Sequence, residues 1–583
     1  MSSSSSRSDI DARAVRLKEV FFAEDSRLLV PEYQREYSWK REQLEAFWED
    51  LVGPKANSNF SGTVLLLNTD AARKEIVDGQ QRATTTTILL SVLRDVASTV
   101  GSLGIAQNIQ ENDIQCKDPD TFMLNEYRLK TSLSSRAFFE TNIQRFPAEP
   151  SVPVTREEKR IMDAYNYFSA QIEEHLDSET QADQALMRIR AKVRELTVVC
   201  IEVFNDEAKF DIFESVNARG LSLSPADLIK NHLLSKTPPS EQSSTNQRWI
   251  EFSAKSEEVG LNLTDVLRYD WNGQNGFVGK SALFQSLKSS ISSSESALQY
   301  INRVELAVES IEILRTRDEK EIYNSLCWQQ KHKHTFLKSL ELINMLGVKQ
   351  HFALFMSIYR ERDKIPGGIA ARISDISCCF CVAHFGLMQG PGNRVERLFS
   401  RLARGIRNAC EGEESTRPKK LNQILADVEN EFAKRWPSSD ELIAKLSDIS
   451  YDGTSHSKSI IRVLLAGIEM SRTGQSEISI NWPRVNIEHI QPQNPSDPEV
   501  KANFEQCVHS VGNLVLLQDR INKIVGNKPP NEKAPKLMES QFLITREVAN
   551  EIMAHGWSPE QIKTRSAALV EAGLSLYANP KVS

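Results

Sequence analysis

The chain has 583 residues, of which 26% are charged and 40% hydrophobic, and its formal net charge is −7. That length exceeds what one core supports and points to two to four domains of ordinary globular composition. The acidic balance excludes a protein that coats nucleic acid through bulk positive charge, while leaving room for a basic groove on an acidic body.

The N-terminus, MSSSSSRSDIDARAV, lacks the apolar stretch of a signal peptide, and residues 1–14 read as a flexible lead-in. No apolar run approaches a membrane span, so a cytoplasmic protein without membrane attachment is expected. From residue 15, RLLVPEYQREYSW reads as extended chain turning at Pro31. KREQLEAFWEDLV places Leu44, Phe47, Trp48 and Leu51 at helical spacing. SGTVLLLN and KEIVDG read as two buried strands, and TTTTILLSVLRDVAST as a helix with threonines in its first turn, suited to capping. Helices then dominate to residue 240, interrupted by the strand LTVVCIEVF (196–204). Ser224-Pro225 makes a good cap and first-turn pair for a further helix. KTPPSEQSSTN (236–246) has linker composition. Residues 247–475 read as helical throughout, and 476–583 as strand, loop, strand, short helix and a long closing helix. These bounds give a nucleotide-binding domain at 15–240, a helical region at 247–475 and a C-terminal domain at 476–583.

Two features of the middle region have bland and sharp readings. Cys378, Cys379 and Cys381 lie in the apolar stretch ISDISCCFCVAHFGLM and fit a buried helix with reduced thiols better than a metal site. Arg394, Arg397, Arg401, Arg404 and Arg407 recur every three or four residues beside a parallel apolar stripe. Such a stripe is either a solvated face paired with acids or, through Arg394 and Arg401, a track for a DNA backbone.

The stretch VDGQQRATTTT carries more polar donors than a turn needs. A helix opening directly after a strand offers free N–H groups and a favourable dipole to an anion. Asp78 and Gly79 shape the turn, and Gln80, Gln81, Arg82 and Thr84 add amide, guanidinium and hydroxyl groups, which suits a phosphate. The competing reading is a structural turn whose Arg82 pairs with a carboxylate. No GxxxxGK[ST] loop occurs, so a nucleotide would be held in another way. Near the C-terminus, Glu488 and His489 adjoin at the end of a strand, with Asn513 and Asn522 downstream. Neighbours on a regular strand face opposite ways, so the pair reaches one site only where the strand ends and twists. His489 is either a structural histidine before a proline-containing loop or a general base beside a divalent cation.

Taken together, VPEYQREYSW, IVDGQQRATT and FESVNARGLSLSPADLIKN, with YRLKTS at 127–132, resemble the N-terminal domain of the GmrSD family, a ParB/sulfiredoxin-like module. NIEHIQPQN, HSVGNLVLL and RINKIVGNK resemble the HNH endonuclease domain of the same family. The resemblance implies an α+β multidomain fold: a small mixed-sheet ParB/sulfiredoxin-like domain, a large all-helical middle region and a ββα-metal (HNH) C-terminal domain with helices. It implies a type IV restriction or SspE-like DNA-defence endonuclease that binds and hydrolyses a nucleoside triphosphate (GTP, ATP or CTP) and nicks or cleaves modified or foreign DNA with Mg²⁺ or Mn²⁺. His489 is then the general base, Asn513 braces the catalytic loop, and Glu488 and Asn522 (rather than Asn527) are metal ligands. Tyr33, Gln34 and Arg35 become candidate DNA contacts. A homo-oligomer remains open, as does a nucleotide-regulated DNA-binding or interaction protein with an inactive HNH domain.

Overall fold

The computed structural model describes residues 10–24, 26–31, 34, 36–53, 60–68, 73–117, 126–177, 181–204, 224–316, 319–473 and 484–579. Tyr33, Arg35, residues 205–223 of the third motif and residues 474–483 lie outside the described residues. These residues cluster into two compact units, one of residues 1–250 and 284–299, the other of 251–283 and 300–583.

The first unit is built on a six-stranded mixed sheet. Its strands, with a separate two-stranded pair, are β1 (Ile10–Arg16), β2 (Leu28–Leu29), β3 (Phe60–Leu67), β4 (Lys74–Asp78), β5 (Gln115–Cys116), β6 (Glu126–Tyr127), β7 (Leu129–Lys130) and β8 (Thr197–Val203). The sheet order is β1-β8-β3-β4-β2-β7, and β5 pairs β6 apart from it. β3 runs antiparallel to β4 and parallel to β8, and its last four residues, Val64 to Leu67, are buried. Continuous apolar runs are what a strand covered on both faces requires. The lead-in expected at 1–14 ends earlier than its composition suggests: residues from Ile10 onward form the edge strand β1, whose backbone ladder with β8 holds a polar segment and whose Val15 reaches the core.

The helix Gln80–Thr99 starts at the end of β4 and runs through the core, with Ile88, Leu89, Leu90, Val92 and Leu93 inaccessible to solvent. A helix apolar on nearly all sides belongs inside. Its one interior cation, Arg94, is fully satisfied: Asp95 takes Nε at 2.8 Å and Nη2 at 3.0 Å, Gln110 takes Nη1 at 2.7 Å, and the carbonyls of Ile143 and Gln144 take one bond each at 3.0 Å. The threonines expected in the first turn lie in the second. Gly79 is the N-cap residue, the two glutamines and Arg82 fill the first turn, and Thr84, Thr85 and Thr86 are buried. Residues 236–246 are no irregular linker either, because the helix Pro239–Glu258 begins within them after Pro238-Pro239.

The second unit is helical apart from β9 (Val485–His489) and β10 (Leu514–Gln518), an antiparallel pair in which His489 faces Leu514 and Glu488 faces Val515. The helical region and the last hundred residues share this unit. Glu469, on the helix Ser455–Thr473, accepts the free N–H groups of Leu543 (2.7 Å) and Ile544 (3.0 Å), capping the helix Leu543–His555 with a carboxylate. Within the unit, the helix Gly392–Glu411 buries Val395, Leu398, Leu402 and Ile406. Its arginine stripe is largely engaged with neighbours: Arg401 with Glu431 at 3.2 Å, Arg407 with Glu411 at 2.6 Å, Arg404 with the Asn275 carbonyl at 3.4 Å and Arg397 over the Phe277 ring at 4.7 Å. Arg394 and Arg401 are exposed. Among the described residues one helical stretch, Gly367–Leu387, is long and apolar enough to cross a membrane. Its Cys378, Phe380 and Cys381 are buried in the unit, as a core helix requires.

The closing helix Pro559–Tyr577 is notched onto the chain before β10 at Gly512. A Cβ there would lie 2.1 Å from the Ile562 carbonyl oxygen. Gly512→Ala is therefore expected to lower stability by about 2–3 kcal/mol, read as a reduced urea midpoint at constant slope. Gly104→Ala is the opposite case: the helix Leu103–Ile109 leaves open space at that position, and a gain of about 0.5–1 kcal/mol is expected.

Candidate functional site

The two groups of motifs form two separate sites, one in each unit. In the first unit the three N-terminal motifs meet. β4 ends at Asp78, whose Oδ1 accepts the Gly79 N–H at 2.8 Å, and Gly79 sits at φ +97°, so the chain turns straight into the helix. Gln81 then ties this turn to the first motif. Its Oε1 accepts Ser38 N–H at 2.7 Å, and its Nε2 donates to the Glu36 carbonyl at 3.1 Å. Gln34 Nε2 donates to the Val77 carbonyl at 2.7 Å, and Lys230, from the third motif, donates to the Gln34 carbonyl at 3.2 Å. Arg82 donates to the Thr63 carbonyl of β3 at 3.0 Å, and its guanidinium lies over Gly62, where a Cβ would approach Nη2 to 2.7 Å. The expected carboxylate partner is Asp78, an electrostatic neighbour that opposes the downward pull of burial on Arg82.

Asp78, Gly79, Gln80, Gln81, Arg82 and Thr84 lie around one helix opening, with a division of labour that the sequence does not show. Gln81 spends both ends of its amide on the 36–38 backbone, and Thr84 is buried inside the helix packing. Gln34 is likewise buried, bridging two motifs rather than facing solvent. Two contributors went unassigned. Lys230 was visible as the lysine of ADLIKN, but only the fold brings it to Gln34. Glu157 has no motif at all: it lies in the first turn of the helix Arg156–Asp177, is buried, and accepts the Tyr37 N–H at 2.8 Å. The Tyr37 hydroxyl in turn meets Thr85 Oγ1 at 2.8 Å.

In the second unit, the strand pair β9–β10 and the helix Asp519–Val525 pack around Ile490, Val515, Leu517, Ile521 and Val525. Asn513 is wholly buried and uses its entire amide. Oδ1 accepts Gln491 N–H at 2.8 Å and Trp557 Nε1–H at 3.1 Å; Nδ2 donates to the carbonyls of Gln491 (2.9 Å) and Val508 (2.7 Å). It locks the loop leaving β9 to the chain entering β10, a bracing role. His489 is 6% exposed; its ring lies 4.9 Å from that of Tyr451 and 5.6 Å from that of His509, both edge-on, with Gln493 Nε2 at 3.1–3.2 Å from the ring nitrogens. Burial first, then the neighbouring His509 and Lys533, hold the imidazole down to about 4, so it is unprotonated at physiological pH.

Glu488 turns instead to Lys533, whose ammonium is 2.6 Å from Oε1 and 2.6 Å from the His489 carbonyl oxygen. Burial pushes the carboxyl up and the ammonium down, and each opposes the shift of the other. Asn522, on the helix Asp519–Val525, has a buried Oδ1 without a hydrogen-bond partner, whereas Asn527 is exposed and its amide reaches the Asn494 carbonyl at 3.4 Å. An orphaned buried carbonyl oxygen is what a hard-cation ligand looks like without its cation. Among the described residues no three His, Cys, Asp or Glu side chains cluster with metal-holding geometry. Glu488 and Asn522, the two residues expected as ligands, offer one carboxylate and one amide oxygen.

Comparison with protein families finds two matches. The model of the GmrSD restriction endonuclease N-terminal domain matches residues 17–234, and that of the GmrSD restriction endonuclease C-terminal domain matches residues 436–572. No curated protein matches the chain.

The buried Glu157 carboxyl carries a pH prediction. Burial pushes it up to about 7, against the Tyr37 N–H that favours the charged form. The folded state keeps a proton that the unfolded chain releases near pH 4.5, so stability falls as pH rises from about 4.5 to 7 and levels off above. Glu157→Gln is expected to flatten that slope in urea titrations followed by tryptophan fluorescence. An unchanged slope excludes Glu157 as its source.

Proposed function

The chain belongs to the GmrSD restriction endonuclease family, and from this we propose that its two sites divide the work. The N-terminal site binds and hydrolyses a nucleoside triphosphate, and the C-terminal site cuts modified or foreign DNA by HNH chemistry with a divalent cation. DNA as the substrate follows from the family. The nucleotide, the cation and the modification are the proposal.

The observations that carry the nuclease reading are a buried His489 at the end of β9 and a buried Asn522 Oδ1 without a hydrogen-bond partner on the helix packed against that strand. His489 would withdraw the proton from an attacking water, with Gln493 at the ring to orient it. Asn513 fixes the loop so that this imidazole does not wander. Glu488 and Asn522 fit Mg²⁺ or Mn²⁺, because both offer hard oxygen and neither is a thiolate or a second imidazole. Such a cation supplies charge stabilisation at the phosphate and the leaving oxygen. Plasmid incubated with Mg²⁺ or Mn²⁺, across unmodified, glucosylated, hydroxymethylated and phosphorothioated DNA and each nucleotide, should be nicked or cut. His489→Ala should lose about 10²–10⁴-fold of that activity. Equal activity in the variant defeats the nuclease assignment.

Support for the nucleotide reading is the convergence of all three N-terminal motifs on one helix opening. Gln81 ties the opening to the 36–38 backbone, and Arg82 and Lys230 bring two cations to backbone carbonyls of the surrounding motifs and strand. Arg82→Ala should reduce phosphate release from ATP, GTP or CTP by at least about tenfold while the fold is retained, since among the described residues Arg82 makes one hydrogen bond to the protein, to the Thr63 carbonyl. Full hydrolysis by the variant makes the turn structural.

A further inference from the structure

The helix Pro530–Leu537 buries a lysine completely. Lys533 is 0% exposed, and its ammonium has two partners, Glu488 Oε1 and the His489 carbonyl oxygen, each at 2.6 Å. A fully buried lysine is rare, because desolvating the charge costs several kcal/mol unless a counter-charge answers it. A strut joining this helix to β9 needs no charge, and an apolar side chain would do that work at lower cost. Here the charge is directed at the one carboxylate that the metal site offers.

The consequence is electrostatic. Lys533 and Glu488 cancel, and the Asn522 amide carries no charge, so the oxygen ligands proposed here present no net negative charge to a dication. Affinity for a hard dication rises with the number of charged oxygen ligands. The missing anionic oxygens are those that a DNA phosphate brings. Resting on the metal-site reading above, we propose that Lys533 keeps the DNA-free enzyme poor in metal and makes cation uptake conditional on bound DNA. Lys533 thus acts through Glu488 as a positioning and gating residue, and a nuclease so arranged is not armed until its substrate is in place.

The test measures Mn²⁺ binding rather than cleavage, by the loss of the free-ion electron paramagnetic resonance signal. It uses the full chain with His489→Ala so that DNA stays intact. Without DNA this protein should bind Mn²⁺ weakly. With a short duplex, after subtraction of duplex alone, it should bind at least about tenfold more tightly. Lys533→Met should bind Mn²⁺ about tenfold more tightly than its parent without DNA, and Lys533→Arg should behave like the parent. Tight uptake by the DNA-free parent overturns the proposal. So does equal or weaker uptake by Lys533→Met, because a lost structural strut would loosen the site. If Lys533→Met fails to fold by circular dichroism, the parent with and without duplex still decides. Glu488→Gln separates the two levels: unchanged uptake by its DNA complex means that the cation is not held at Glu488, and the metal-site reading itself fails.

Discussion

The C-terminal site depends on the side-chain amide of Asn513. Four hydrogen bonds from one buried amide join the loop after β9, the turn before β10 and Trp557 ahead of the closing helix. An amide offers two donors and two acceptors, and here none is left to water, so the loop has one register. The closing helix adds to the same clamp. Arg565 donates to the carbonyls of Gly512 and Leu514, and the Gly512 N–H donates to Ser566 Oγ. His489 is thereby held by a frame built almost wholly from backbone, which a substrate phosphate would not deform.

The N-terminal site uses the same device with different residues. Gln81 plays the part there that Asn513 plays in the other unit: an amide side chain consumed by backbone, placed so that a neighbouring arginine stays in position. The first two motifs meet because β2 and β4 are adjacent parallel strands, which brings the chain after each to the same end of the sheet, and Lys230 of the third motif joins them through the Gln34 carbonyl. Ligands of mixed and parallel sheets gather at such strand ends, where helix openings present N–H groups.

Charge is handled economically in both units. Buried cations are matched to carboxylates or carbonyls, as for Arg94 and Lys533, and the arginine stripe of Gly392–Glu411 is mostly absorbed by local acids and carbonyls. The unusual case is Lys533, since its counter-charge is also a candidate metal ligand. On the metal-site reading proposed above, that arrangement would neutralise the site before a dication arrives and make the substrate's own phosphates part of the electrostatic balance.

Much was legible in the sequence. Apolar runs and capping pairs located β3, β4, β8, β9 and β10, the helix after Ser224-Pro225 and the closing helix, because those signals are local and follow strand and helix periodicity. The residue types at DGQQR and at IEH…GNL…IN pointed to the chemistry proposed above, because phosphate and metal ligands need particular atoms. Three things were decided by the tertiary structure. The edge strand β1 forms from a polar segment, since ladder pairing with β8 holds it whatever its composition. Glu157 and Lys533 enter the sites from helices with no motif of their own, since a buried charge is chosen by the partner it meets in space. Asn522 rather than Asn527 carries the orphaned oxygen, because the Oδ1 of one is shut off from water on the helix Asp519–Val525 and the other residue is exposed. Sequence fixes which atoms a chain possesses; which of them are desolvated, and against what, follows only when distant segments pack.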